Sequence, residues 1–191
     1  MSLAHKGERT RADIVRSATR LFYQQGYGET SFTDIVEASG LHRGNIYHYF
    51  KTKDDILRAV IDQHLAGFRA LLVQWEQQNG DPRAQLQAFI TMIMGRQLEL
   101  VQYGCPIGTL NTELGKDRRE LQQAARALFD LFRDWLTARF VELGRGDEAK
   151  ALALHLLGRA QGVAVIAQVY QDTALLQRET DQLQDWIKHL S

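Results

Sequence analysis

A chain of 191 residues, 45% hydrophobic and 24% charged, suits one large or two small globular domains with a real core. Its formal net charge of zero argues against indiscriminate coating of nucleic acid, and its single cysteine excludes an intrachain disulfide and fits a reducing compartment. No stretch approaches the roughly 20 continuous apolar residues of a membrane span, and MSLAHKGERTRAD at the start lacks the apolar core of a signal peptide, so a cytoplasmic protein is expected.

Charge is unevenly placed. From Met1 to Lys53 eight Lys or Arg stand against five acids, a net +3 that the remainder balances with −3. Apolar residues recur at helical spacing almost throughout, and nothing alternates as a strand would. Three helix starts share the [ST]-x-x-[DE] capping pattern: Thr10 with Asp13, Ser31 with Asp34, and Thr52 with Asp55. The first helix is expected from Thr10, burying Ile14, Ala18, Leu21 and Phe22, to a stop at Gly26. A second covers Phe32 to Ser39, Gly40 supplies a tight turn, and a third runs from Arg43 to Phe50. The fourth, Lys53 to Gln78, carries one apolar stripe from Ile56 to Trp75.

Both prolines mark helix starts: Asp81-Pro82 opens a helix to Tyr103, and Cys105-Pro106 opens a short one to Gly115. Asp117 with Glu120 begins a long helix to Leu143, Asp147 begins another to Tyr170, and a last one fits Asp172 to Leu190. The expected architecture is all-α, with about nine helices. Residues 1–52 are expected to form an N-terminal helix-turn-helix domain, and 53–191 a second helical domain.

The run TSFTDIVEASGLHRGNIYHYFKTKDDIL, from Thr30 to Leu57, carries the chemistry. Phe32, Ile35 and Val36 provide an inner face for the bracing helix, Ile46 and Phe50 do so for the second, and Leu41 closes the gap. Arg43, Gly44, Asn45, Tyr47 and His48 are left for the outer side. Arg43 suits guanine and Asn45 adenine, although either can bind phosphate. Tyr47 and His48 can donate to phosphate oxygens. Lys53 combines a cation with free backbone N–H groups in the first turn of a helix, the setting of a phosphate clamp.

With T-S-F before the second helix, Gly40 in the turn and then G-N-I-Y-x-x-F-x-x-K, the chain resembles the TetR family of bacterial repressors over Thr10 to Leu57. Tyr49 stands where family members usually have His. The resemblance implies a homodimer that binds a palindromic operator in double-stranded DNA and leaves it when a small-molecule effector enters a variable C-terminal domain. It implies DNA contacts at Arg43, Gly44, Asn45, Tyr47, His48 and Lys53, with Ser31 or Thr33 touching phosphate. It also implies dimerisation through the last two helices.

Beyond Pro82 the signals are weaker. Phe68, Leu72, Trp75, Phe89, Met92, Ile93, Leu110, Phe129, Phe132 and Trp135 are enough apolar surface to line a pocket, with Tyr103 and Asn111 among the polar groups that would orient a ligand. Each of these residues can equally be core. YGCPIGTLNTEL resembles a segment at the start of the sixth helix in one branch of the family, some of whose members sense electrophiles or oxidants through a cysteine; this makes Cys105 a candidate redox or electrophile sensor. Its simpler role is a small buried residue. Gly158 and Gly162 admit a close partner helix and, with Leu183, Trp186 and Ile187, form the expected dimer interface.

No histidine pair has metal-ligand spacing and no Gly-rich phosphate loop follows a strand, so neither an enzyme nor a metal or other cofactor is expected. The alternatives are a helical ligand-binding protein without specific DNA binding, and a transcriptional activator.

Overall fold

The computed structural model describes residues 3–190, with side chains from Gly7 onward. Every regular element among them is a helix: α1 (Leu3–Gln25), α2 (Phe32–Ser39), α3 (Arg43–Tyr49), α4 (Lys53–Gln78), α5 (Pro82–Met94), α6 (Gln97–Tyr103), α7 (Pro106–Asp117), α8 (Arg119–Glu142), α9 (Ala149–Tyr170) and α10 (Thr173–Lys188). The all-α expectation holds. The added helix comes from a break in the segment expected from Pro82 to Tyr103. Gly95 closes α5 with its N–H shared between Thr91 and Ile93 carbonyls, and Arg96 leaves helical geometry at φ −129°. A residue without Cβ at the end of α5 is where the ladder gives way.

Two of the three expected capping boxes form. Ser31 N donates to Asp34 (2.7 Å) while Asp34 N donates to the Ser31 hydroxyl (3.1 Å). Thr52 and Asp55 reciprocate in the same way at 2.9 and 3.1 Å. The third does not form, because α1 already runs from Leu3, so Thr10 and Asp13 sit inside a continuous helix and Asp13 pairs with Arg16 one turn on. Asp81 caps α5 with Pro82 in its first turn, and Asp172 caps α10. α7 runs past Gly115 to Asp117, and α8 and α9 begin at Arg119 and Ala149, two residues later than the expected starts.

The chain forms two compact units, residues 1–66 with 109–126, and residues 67–108 with 127–191. The first half of α4 is bonded to the α1–α2 loop through Lys53 and Asp54, and to the α7–α8 segment through Asp54 and Arg58.

In the first unit α1 packs on α2 and α3 around Ile14, Val15, Ala18, Ile35 and Ile46. In the second, α10 packs on α5, α6 and α9, and α6 also packs on α9. α9 is long and apolar enough by composition to cross a membrane. One of its faces, from Ala149 through Leu156 and Val163 to Ala167, is buried in this fold.

Candidate nucleic-acid interface

α3 is short, so its ends decide whether it forms. Gly40 turns the chain at φ 65° and its N–H returns to the Glu37 carbonyl. His42 then caps α3: its Nδ1 accepts the Gly44 N–H at 3.2 Å, which requires a neutral ring at that nitrogen. This cap is absent from the sequence reading, because histidine is an uncommon N-cap. At the other end Phe50 N bonds to the Ile46 carbonyl (2.9 Å) and the Lys51 ammonium donates to the Tyr47 carbonyl (2.6 Å), a cation on the negative end of the helix.

Ile46 and Phe50 face inward at 0% and 4% exposure, while Arg43, Gly44, Asn45, Tyr47 and His48 are exposed, as the spacing requires. The outer face is partly preorganised. Tyr47 stacks on Phe32 with centroids 4.7 Å apart and planes 20° from parallel. The Arg43 guanidinium lies 5.5 Å from the Tyr47 ring centre and 5.9 Å from that of Phe32, and donates to the Tyr47 hydroxyl at 3.3 Å. Phe32, read from sequence as an inner residue, is therefore half-exposed and bridges α2 to the outer face of α3.

Ser31 and Thr33 are both exposed at the start of α2. The Ser31 hydroxyl is the cap acceptor, and the hydrogen bonds from Ser31 hold the Asp34 carboxyl below its usual range. Tyr49 is half-buried against His48, and its hydroxyl lies close to Gly7 of α1.

Lys53 differs most from expectation. Its ammonium donates to the carbonyls of Tyr27 (2.7 Å), Thr30 (2.8 Å) and Gly28 (3.4 Å) and sits 4.2 Å from the Tyr27 ring centre. Burial, followed by repulsion from Arg118, lowers its pKa. In this conformation Lys53 ties the α1–α2 loop to the start of α4 instead of standing free for a phosphate.

That loop is held from a second side by residues distant in sequence. Glu113 of α7 accepts the N–H groups of Tyr27 (3.0 Å) and Gly28 (2.5 Å). The absence of side chains at Gly26 (φ 92°) and Gly28 leaves room for the carboxylate, since a Cβ would stand 3.2 and 2.9 Å from its oxygens. The Tyr27 hydroxyl donates to Asp54, and Arg118 closes the cluster through the other Asp54 oxygen. Burial first, then the bond to Asp54, raises the Tyr27 pKa above the phenol range. Arg58 of α4 also pairs with Glu120 of α8 at 3.1 Å. Gly26-Tyr27-Gly28 is the one local sign of this clamp; Glu113 and Arg118 carry no motif.

Most of the expected pocket residues are core. Phe132 meets Phe68 at 5.0 Å and Phe89 at 5.6 Å, and Trp75 meets Trp135 at 5.7 Å. Leu72 and Ile93 are buried with them. Trp135 donates to Glu76 (2.7 Å), which also pairs with the nearly buried Arg139 at 2.6 Å. Trp75 and Met92 border an open groove of about 760 Å³ shared with Gln78, Gln87, Thr91 and Gln184. Tyr103, Cys105, Leu110 and Phe129 are half-buried. The Asn111 amide donates to the Ala125 carbonyl (3.3 Å), so it ties α7 to α8. No group of three or more candidate metal ligands occurs among the described residues.

Of the expected dimer residues, Gly158 and Gly162 are exposed with open space above them. Leu183 and Ile187 are not available: at 1% and 0% exposure they pack within their own chain. Their side of α10 faces inward, and Arg83 of α5 donates to the carbonyls of Ile187, Lys188 (3.2 Å) and Leu190 (2.9 Å) at the end of that helix. Trp186 is half-buried against His155 and Phe140. α9 leaves Leu154, Val165, Ile166, Val169 and Tyr170 exposed on its outer side, whereas Val73, Leu98 and Val141 are exposed singly on α4, α6 and α8.

A capped helix pair, turned by Gly40 and presenting Arg43, Asn45, Tyr47 and His48 outward, defines a helix-turn-helix regulator of transcription. The profile for bacterial regulatory proteins of the tetR family matches residues 14–60, and that for the C-terminal domain of LmrA/YxaF-like transcriptional regulators matches residues 82–182. The chain belongs to the TetR family. It is 26% identical to an uncharacterized HTH-type transcriptional regulator of Lactococcus lactis subsp. lactis, over 91% of each chain. It is 29% identical to another from Mycobacterium tuberculosis, over 85% of this chain and 86% of that one. Among solved structures, a TetR-family regulator from Agrobacterium tumefaciens superposes with a TM-score of 0.81 at 25% identity, covering 94% of this chain and 97% of that one.

Proposed function

We propose that this protein is a cytoplasmic homodimeric repressor that reads a palindromic operator with α3 and is released by an effector acting on its C-terminal helices. The outer face of α3 carries the reading. Four side chains able to address phosphates or base edges stand exposed on a helix whose opposite side is fixed by Ile46 and Phe50. Arg43 and Asn45 read bases, while Tyr47, His48, Ser31 and Thr33 contact phosphate. Lys53 supports the same surface by holding the Tyr27–Thr30 loop, and reaches a phosphate only if its carbonyl partners give it up.

The exposed face of α9, centred on Gly158 and Gly162 and flanked by Leu154, Ile166 and Val169, is the dimer contact. Two copies would place two α3 helices for two half-sites. The effector is a small molecule or a reactive species, with Cys105, just before Pro106 at the start of α7, as the thiol a reactive species would meet. If Cys105→Ser responds to a quinone as the wild type does, release by thiol chemistry is wrong.

The test of base reading is an operator scan at fixed salt. Arg43→Ala and Asn45→Ala should each flatten the preference at one symmetry-related pair of positions, by about 1–3 kcal/mol. Weakening that is uniform over all positions would assign both residues to phosphate.

A further inference from the structure

Arg43 is long and exposed, and a free arginine on a helix surface samples many rotamers before it meets DNA. Here it is confined. The Phe32 and Tyr47 rings lie nearly parallel at 4.7 Å, and the guanidinium rests within 6 Å of both ring centres with one N–H on the Tyr47 hydroxyl. Arg43 and Tyr47 are one turn apart on α3, whereas Phe32 comes from the first position of α2, immediately after the Ser31 cap.

Phe32 thus has a task that its apolar character alone does not explain. A residue needed only for the core would turn inward, as Ile35 does at 0% exposure. Phe32 instead stacks on a residue that is 38% exposed, on the outer side of the reading helix. A planar guanidinium held at an aromatic stack keeps its remaining N–H groups in a fixed fork, the arrangement that bidentate contact to the O6 and N7 edge of guanine uses.

We propose that Phe32 is a positioning residue for base readout: with Tyr47 it sets the direction of the Arg43 guanidinium and so fixes sequence preference without itself contacting a base. The inference rests on α3 being the DNA-reading helix. It adds a specificity determinant outside that helix, one that acts through Arg43.

The test compares wild type, Phe32→Leu, Phe32→Tyr, Arg43→Ala and the Phe32→Leu/Arg43→Ala double variant. The full chain is titrated against the promoter duplex that the wild type protects and against the same duplex changed at the base pair sensitive to Arg43. Leucine keeps an apolar side chain and removes the ring, while tyrosine keeps the ring. Phe32→Leu should lose about tenfold in discrimination at that base pair, with an unchanged slope of affinity against salt, and Phe32→Tyr should retain discrimination. In the Arg43→Ala background the leucine substitution should have no further effect on discrimination. Full discrimination in Phe32→Leu, or a loss that adds to that of Arg43→Ala, overturns the proposal while leaving DNA reading by α3 intact. Loss of affinity for both duplexes equally, with a lowered melting temperature, also overturns it, because a purely structural Phe32 behaves that way. If the wild type itself makes no distinction between promoter and random DNA, the reading by α3 fails first.

Discussion

The helix pair α2–α3 and the helical bundle of the second unit, α5, α6, α9 and α10 with residues 127–142 of α8, use their residues in opposite ways. In the pair, the polar groups Arg43, Asn45, Tyr47 and His48 point outward, and the buried Ile46 and Phe50 fix the orientation. In the bundle, apolar residues serve core, cavity and contact surface alike, and the letters do not separate those roles. Phe132 and Val169 illustrate the difference: both are hydrophobic residues on long helices, yet one is 2% exposed among aromatic rings and the other is 68% exposed. A short polar motif can be read locally, whereas an apolar face acquires meaning only from what covers it.

The comparison can be broken most forcefully at Phe132. Phe132→Ala removes a ring packed on Phe68 and Phe89 and should lower stability by about 3–5 kcal/mol, measured by urea unfolding, without changing base preference in the folded protein. A loss of only about 0.5 kcal/mol would show that the ring borders empty space and is a pocket wall after all.

Val169→Asp should do the reverse. Stability of the subunit should stay within about 0.5 kcal/mol, while sedimentation shows monomers and operator affinity falls by about a hundredfold as bivalent binding is lost. An intact dimer would move the contact away from α9.

Glu113→Ala probes the clamp on the α1–α2 loop. Removing the acceptor for two backbone N–H groups should destabilise the protein by about 1–2 kcal/mol, with hydrogen exchange at Tyr27 and Gly28 rising most. Protection unchanged at those two amides would show the clamp to be unimportant in solution.

The smallest effect is a pH dependence. Tyr27 has a folded-state pKa raised by burial and by Asp54, so its contribution to stability is fully present below its ordinary value of 10.0 and is lost as pH rises above it. Tyr27→Phe should flatten the alkaline limb of a stability profile above about pH 10, where the unfolded chain releases a proton that the folded protein still holds. An identical limb in both proteins would place the loss elsewhere.

The caps at Ser31 and Thr52, the turn at Gly40 and the inward Ile46 and Phe50 were legible because each depends on neighbours within about four residues. The false start at Thr10 shows the limit of that code. The same pattern occurs inside a helix when the preceding residues also favour helix. The stack of Phe32 on Tyr47 joins residues 15 apart in sequence, and the Glu113 carboxylate reaches an amide 86 positions away, distances over which no motif speaks. Leu183 and Ile187 were assigned to the dimer because the family resemblance implies dimerisation through the last two helices. The packing of α10 on α5 turns that face inward.

The account stands on sequence-specific recognition by α3. The most direct measurement is the affinity of the full chain for a duplex from its own promoter and for a scrambled duplex of equal length, both at about 150 mM salt. The account predicts a preference of about a thousandfold or more for the promoter, reduced when Arg43 or Asn45 is replaced by alanine. Equal affinity for the two duplexes would contradict it.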